Sequence, residues 1–166
     1  MDQIVCGIRR HRDAGFFRTP SAEMEQKNME QYATQMEAAR KGIVTEELKK
    51  VAAKERMTTE ELMPLVAEGK VVICANRHHK CIDPEGVGSM LRTKINVNLG
   101  ISRDCKDYDV EMEKVMAAVD MGAHAIMDLS SHGNTIPFRR KLTAECPAMI
   151  GTVPVYDSVI HYQRDL

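Results

Sequence analysis

Aromatic residues are scarce: 4% of the 166 residues, with no tryptophan at all. So few rings cannot build the stacking platforms on which proteins hold single-stranded nucleic acid. An excess of one charge is missing too, since 23 Lys and Arg stand against 24 Asp and Glu for a formal net charge of −1. No overall field therefore draws the chain to nucleic acid or to an anionic membrane. No apolar run reaches the roughly 18 residues of a membrane-crossing helix. The opening MDQIVCGIRRHRDAGFF lacks the sustained apolar stretch of a secretory signal. Five cysteines, at positions 6, 74, 81, 105 and 146, include no C-x-x-C pair. That fits reduced thiols better than a disulfide framework, and a cytoplasmic protein is expected. A P-loop, an HExxH helix, a nucleophile elbow and paired catalytic carboxylates are also lacking.

What remains is an ordinary globular balance, 43% apolar and 28% charged, in a chain long enough for one domain with one sizeable core. Twelve methionines are unusual. Soft sulfur is tolerable where oxidation is rare, so an anaerobic source and plain compositional drift both account for them.

Residues 1–32 read as an irregular or helical N-terminal extension with a basic run from Arg9 to Arg12, either a phosphate patch or a solvated tail. A helical pattern spans 21–41, with Ser21 as cap and Gly42 past its end. A further helix starts after Thr45, and Thr58-Thr59-Glu60-Glu61 is a capping box for the next, closed by Gly69. Beyond residue 70 the period changes. KVVICA (70–75), TKINVNLG (93–100), AHAIMDLS (123–130) and AMIGTVPVY (148–156) read as strands. Residues 107–121 and 135–146 read as helices, the second with Pro137 in its first turn, and a helix-like DSVIHYQRDL follows. Strand and helix alternate, which predicts an α/β fold of βαβ units on a mostly parallel sheet.

Asn98, Met127 and Tyr156 follow one another at intervals of 29 residues. A βα unit takes about 30 residues, so the three mark equivalent points near the carboxyl ends of successive strands. Ligands bind at that edge in β/α barrels and doubly wound sheets. The polar break in IMDLSSHGNT (126–135) then reads as the rim of a site. Residues 70–166 hold only three or four βα units, whereas a closed barrel takes about 250 residues. An open fragment or the first part of a barrel is expected, and the uncapped QRDL end leans toward truncation.

Several clusters carry possible chemistry. Cys74, His78, His79 and Cys81 in CANRHHKC offer thiolate and imidazole to zinc, or form a loop contacting substrate or partner. Asn76, Asn96 and Asn98 either hold a heterocycle or sugar hydroxyl, or serve turns and strand edges. Gly100, Ser102 and Arg103 precede a helix start that suits phosphate. His132 in SSHGN is an acid, a base, a phosphate contact or a turn residue.

The ordered stretches ATQMEAARKGIVTEEL, VVICANRHHK, TKINVNLG, AIMDLSS and IGTVPVYDS resemble a known family from about Ala33 to Leu166. It is the radical S-adenosylmethionine enzymes that rebuild aminoimidazole ribotide, comprising phosphomethylpyrimidine synthase of thiamine biosynthesis and its paralogue hydroxybenzimidazole synthase. The resemblance implies a TIM-type (β/α) barrel, here its N-terminal part over 33–166, usually within a homodimer. It implies substrate contacts at Asn98, Met127 and Tyr156. It also implies S-adenosylmethionine, an iron–sulfur cluster and zinc as cofactors. The C-x-x-C-x-x-x-x-C motif, the two zinc histidines and the S-R-G and D-G-L-R substrate contacts belong beyond Leu166, so this chain alone is expected to be inactive and to hold no metal. The family commonly reads ANxNH and DLSTGG where this chain has ANRHH and DLSSHGN. That departure favours hydroxybenzimidazole synthase, which makes the lower ligand of anaerobic cobamides (vitamin B12), with the thiamine enzyme as alternative. A non-catalytic half-barrel that binds ligand or partner is the other reading.

Overall fold

A computed structural model of the chain describes residues 32–162. Cys6, the basic run at Arg9 and the cap expected at Ser21 lie outside them. Three short helices come first: α1 (Gln35–Arg40), α2 (Glu46–Glu55) and α3 (Thr59–Ala67). Each is started by a threonine, Thr34, Thr45 or Thr58, whose hydroxyl accepts a first-turn N–H. The capping box is formed as expected: the Glu61 carboxylate accepts the Thr58 N–H at 2.8 Å, and the Thr58 hydroxyl accepts the Glu61 N–H at 3.2 Å.

Strand β1 (Val71–Cys74) pairs antiparallel with β2 (Glu85–Gly88), Cys74 opposite Glu85. No strand is expected at EGVG, because glycine normally weakens a strand. Here the bare backbone is what fits: a Cβ on Gly86 would come within 2.6 Å of Val51 Cγ1. The first strand is therefore half of a hairpin and not the start of the parallel series.

That series follows. β3 (Asn96–Leu99), β4 (Ala125–Asp128) and β5 (Met149–Thr152) lie parallel in the order β3-β4-β5. α4 (Tyr108–Asp120) and α5 (Thr135–Glu145) connect them, and α6 (Pro154–Tyr162) follows. The strand expected over 148–156 ends at Thr152. Proline has no N–H for a ladder and its fixed φ suits a first helical residue, so Pro154 starts α6 instead. The described residues form no closed barrel.

Two cores replace the expected single one. Leu48, Val51, Leu62, Val66, Val71 and Ile73 unite the first helices with β1. Ile126, Val115, Phe138 and Leu142, with Val97, Leu99 and Ile150, unite α4 and α5 with one face of the parallel sheet. Alternation turns Asn96, Asn98, Ala125, Met127, Met149 and Gly151 to the opposite face. Polar ties join the halves. His79 Nε2–H donates to the Cys146 carbonyl at 2.5 Å, and the Asp83 N–H to the Pro147 carbonyl at 2.9 Å.

A further tie has a pH signature. The Glu55 side chain, 2% exposed, accepts from the Arg92 N–H at 2.9 Å and from the Lys94 ammonium. Burial alone would push its carboxyl up, but the hydrogen bonds and charges of Lys94 and Arg92 together hold it below the ordinary 4.5. A carboxyl depressed in the folded state contributes stability above its unfolded pKa and loses it as pH falls through the folded value. Glu55→Gln is thus expected to flatten the acid limb of the stability profile. Urea midpoints at about pH 7 and about pH 4 check this; an unchanged pH slope would remove Glu55 from the account.

Candidate functional site

The open face of the sheet carries two of the three expected contacts. Asn98 and Met127 are register partners on adjacent parallel strands, so their side chains project from the same face side by side. The Asn96 amide donates to Asn98 Oδ1 at 2.9 Å. Among the described residues nothing engages the Asn98 NH2, which leaves two donors facing outward. Met127 reaches toward β5: a Cβ built on Gly151 would stand 2.8 Å from both its Sδ and Cε. Glycine at 151 thus gives the thioether its place. The obstacle is the free end of a flexible side chain, so Gly151→Ala is expected to cost about 1 kcal/mol or less while turning Met127 aside. A denaturant midpoint measures the first effect; a loss several times larger would mean that Met127 is locked.

The third contact is placed differently. Met127 pairs with Gly151, not with Tyr156. The 29-residue interval therefore finds two register partners and then overshoots, because β5 stops at Thr152. Tyr156 stands in the first turn of α6, 39% exposed. No hydrogen bond joins its hydroxyl to Asn98 or Met127.

At the strand ends a buried polar network closes the sheet edge. The Asp128 carboxylate, wholly buried, accepts at Oδ1 from the Ser130 N–H (2.9 Å) and hydroxyl (2.5 Å), and at Oδ2 from Arg139 Nε (2.7 Å). Ser130 Oγ accepts the Ile101 N–H at 3.0 Å. Arg139 extends to Asp157 Oδ2 at 2.5 Å, and the Thr135 hydroxyl donates to Asp157 Oδ1 at 3.1 Å. The Arg139 hydrogen bond, partly opposed by burial and helped by Thr135, keeps the Asp157 carboxyl below its usual range. Glu111, also buried, accepts the Gly100 N–H at 3.0 Å and so fastens α4 to the end of β3. Asp128, Glu111, Arg139 and Asp157 escape a motif search because they sit singly within helical or apolar runs. The available signal is an acid inside the otherwise apolar IMD.

Beyond this network lies a cleft of about 990 Å³ lined by Arg103, His132, Asn134, Arg139, Asp157 and His161, among others. The loops GISRDCKD and SSHGN, separate in sequence, meet there. Ser102 turns back on its own loop, its hydroxyl accepting the N–H groups of Asp104 and Cys105. In IMDLSSHGNT, then, Asp128 and Ser130 are buried structure, while Ser131 to Asn134 form the rim. Asn98, Met127 and Tyr156 line neither this cleft nor the smaller one, about 600 Å³, beside Cys74, Asn76 and His79.

CANRHHKC converges only in part: the Cys81 thiol, like His79, donates to the Cys146 carbonyl, at 3.3 Å, while His78 stands apart. The exposed His78 lies beside Arg77, the buried His79 ring is spent on Cys146, and Asn76 accepts the His78 N–H as a turn residue. Burial, with Glu85 nearby, pushes the Cys74 thiol up, and burial does the same to Cys146. Both are moved away from the thiolate that a metal needs. No group of three or more His, Cys, Asp or Glu among the described residues is arranged to hold a metal ion. These side chains fit neither an iron–sulfur cluster nor zinc. No helix among them is long and apolar enough to cross a membrane.

Comparison with known proteins addresses the resemblance. The Radical SAM ThiC family matches residues 34–165. Phosphomethylpyrimidine synthases of Clostridium botulinum strain Hall and of Alkaliphilus oremlandii are each 59% identical to the chain over 135 residues. That is 81% of this chain and 31% of theirs, so the chain spans about a third of the length of these relatives. The preference for hydroxybenzimidazole synthase drawn from ANRHH and DLSSHGN gains no support from these relatives, which carry the name of the thiamine enzyme. With 132 consecutive positions matched and the parallel strands in the expected order, the chain belongs to the radical SAM ThiC family.

Proposed function

We propose that this chain is the substrate-facing N-terminal part of a phosphomethylpyrimidine synthase, which rearranges aminoimidazole ribotide into the pyrimidine phosphate of thiamine by radical S-adenosylmethionine chemistry. The observation that carries the reading is the 59% identity over 135 residues to enzymes of that name. The sequential order β3-β4-β5 with helices on one face is how a (β/α) barrel begins, and the open face would become its interior. There the free Asn98 NH2 donates to the heterocycle, Met127 forms a soft apolar wall, and Tyr156 orients a polar group from the helix beyond β5. S-adenosylmethionine and the iron–sulfur cluster would supply the radical chemistry, and zinc, which is redox-inert, a Lewis-acid site, all held by residues outside the described part, within a homodimer.

The test uses the complete protein, reconstituted anaerobically with cluster, S-adenosylmethionine and aminoimidazole ribotide, with mass spectrometry of the product. A pyrimidine phosphate is expected. Hydroxybenzimidazole would restore the other paralogue, and no product would favour a binding subunit. Asn98→Ala should lower kcat/KM about tenfold with unchanged folding, the worth of one neutral hydrogen bond. Near-normal turnover would count against Asn98.

A further inference from the structure

We infer that Arg139 and Asp157 act as a positioning clamp, bracing α6 against the end of β4 and so setting where Tyr156 stands relative to Met127. The inference rests on the substrate-contact reading above and asks what fixes two of its three contacts. Asp128 is the neighbour of Met127 in sequence, and Asp157 is the neighbour of Tyr156. One guanidinium bridges them, Nε to Asp128 at 2.7 Å and an Nη to Asp157 at 2.5 Å.

The need for a clamp follows from how α6 is held. Every other helix of the described residues buries at least two side chains; α6 buries none. Val155 and Tyr162 are 49% and 68% exposed. A nine-residue helix whose inner apolar residues, Val159 and Ile160, are only half-buried is marginal in water, so its position leans on polar ties. The side-chain hydrogen bonds that tie α6 to the rest of the described residues are those that Asp157 accepts from Thr135 and Arg139. Both donors stand on α5, whose own place is fixed by Phe138 and Leu142 in the core. The other end of the clamp is rigid as well, since Asp128 is wholly buried and bonded through both oxygens. A fixed strand end, a fixed helix and a loosely packed one are thus joined through a single side chain.

Loosening the clamp reduces the fraction of molecules in which Tyr156 is in place, and apparent affinity falls by that fraction. Once substrate is bound α6 is ordered, so turnover is nearly unaffected. In the complete protein, Asp157→Ala is expected to speed amide exchange across 155–162 about tenfold while β4 and α5 keep their rates. It should also raise KM for aminoimidazole ribotide about tenfold with kcat within twofold. In a Tyr156→Ala background the same change should add less than twofold, because its effect passes through Tyr156; in an Asn98→Ala background it should persist. Unchanged exchange in α6, or a full tenfold KM effect without Tyr156, would overturn the clamp. If Tyr156→Ala alone leaves KM unchanged, the contact role of Tyr156 fails, while the exchange rates still decide whether Asp157 holds the helix.

Discussion

Replacing Asp128 by alanine is expected to cost about 3–5 kcal/mol, enough to leave much of the protein unfolded near physiological temperature. The side chain is completely buried, and three donors end on it: the Ser130 N–H, the Ser130 hydroxyl and Arg139 Nε. Arg139 has no spare partner, because its other terminal nitrogen is already buried without an acceptor among the described residues. Alanine would leave a guanidinium, 22% exposed, with only Asp157 to balance it. Most of the loss is the cost of that orphaned cation and not the worth of the pair. Two comparisons separate these. Asp128→Asn keeps the two bonds from Ser130 but leaves the guanidinium as unbalanced as alanine does, so it should recover only about 1 kcal/mol of that loss. Asp128→Leu combined with Arg139→Met removes both charges and should recover part of the alanine loss, although α6 is released. Urea midpoints at constant slope give all three values; a double variant as unstable as Asp128→Ala would show that the loss is that of the pair itself and not of the orphaned cation.

Arg139 also marks the limit of what local sequence shows. The helices after Thr45 and Thr58 were legible because threonine caps and T-x-x-E are local chemistry, settled within four residues; the helix expected over 21–41 instead breaks at the extended Thr34, which caps a short helix from Gln35. The parallel strands were legible by alternation, and the 29-residue spacing found the Asn98–Met127 partnership because one βα unit separates register partners on neighbouring strands. Tyr156 lay beyond that rule: its position depends on where β5 stops, which Pro154 decides, and on an ion pair with Arg139 one position away. β2 was hidden for a related reason. EGVG carries no strand propensity, and it pairs because Gly86 admits Val51 and Leu91 against its backbone, a tertiary fact. The acids were equally opaque. Asp128 and Glu111 look like solvated residues in a list of letters, yet each is buried because a strand end presents donors that need an acceptor. Composition predicted one core, but volume does not say how helices divide between sheets.

Gly100 illustrates a constraint of the opposite kind, imposed by backbone. Its φ is +143°, a region that side-chain-bearing residues rarely enter, and a Cβ there would lie 2.5 Å from the Ser130 backbone nitrogen and 2.9 Å from the Leu129 carbonyl carbon. Gly100→Ala is expected to cost about 3 kcal/mol or more, adding backbone strain of about 1–3 kcal/mol to a comparable overpacking penalty. The contrast with Gly151 is instructive: there the Cβ meets the tip of a methionine, here it meets main chain that cannot step aside. Three hydrogen bonds hold the two strand ends together at this point, from Leu129 N–H to the Leu99 carbonyl (2.8 Å), from Ser131 N–H to the Ile101 carbonyl (2.9 Å), and from Ile101 N–H to Ser130 Oγ (3.0 Å). Separating the strands to admit a methyl group would stretch all three and pull the Gly100 N–H from Glu111. Asn98 and Met127 sit two and three residues before this junction on their strands, so the damage reaches the open face as well. Hydrogen exchange is the direct measurement: amides of 129–131 and 99–101 should lose protection in Gly100→Ala before the α5 core does. Retention of their protection, with an unchanged denaturant midpoint, would mean that the two strand ends do not need to approach so closely.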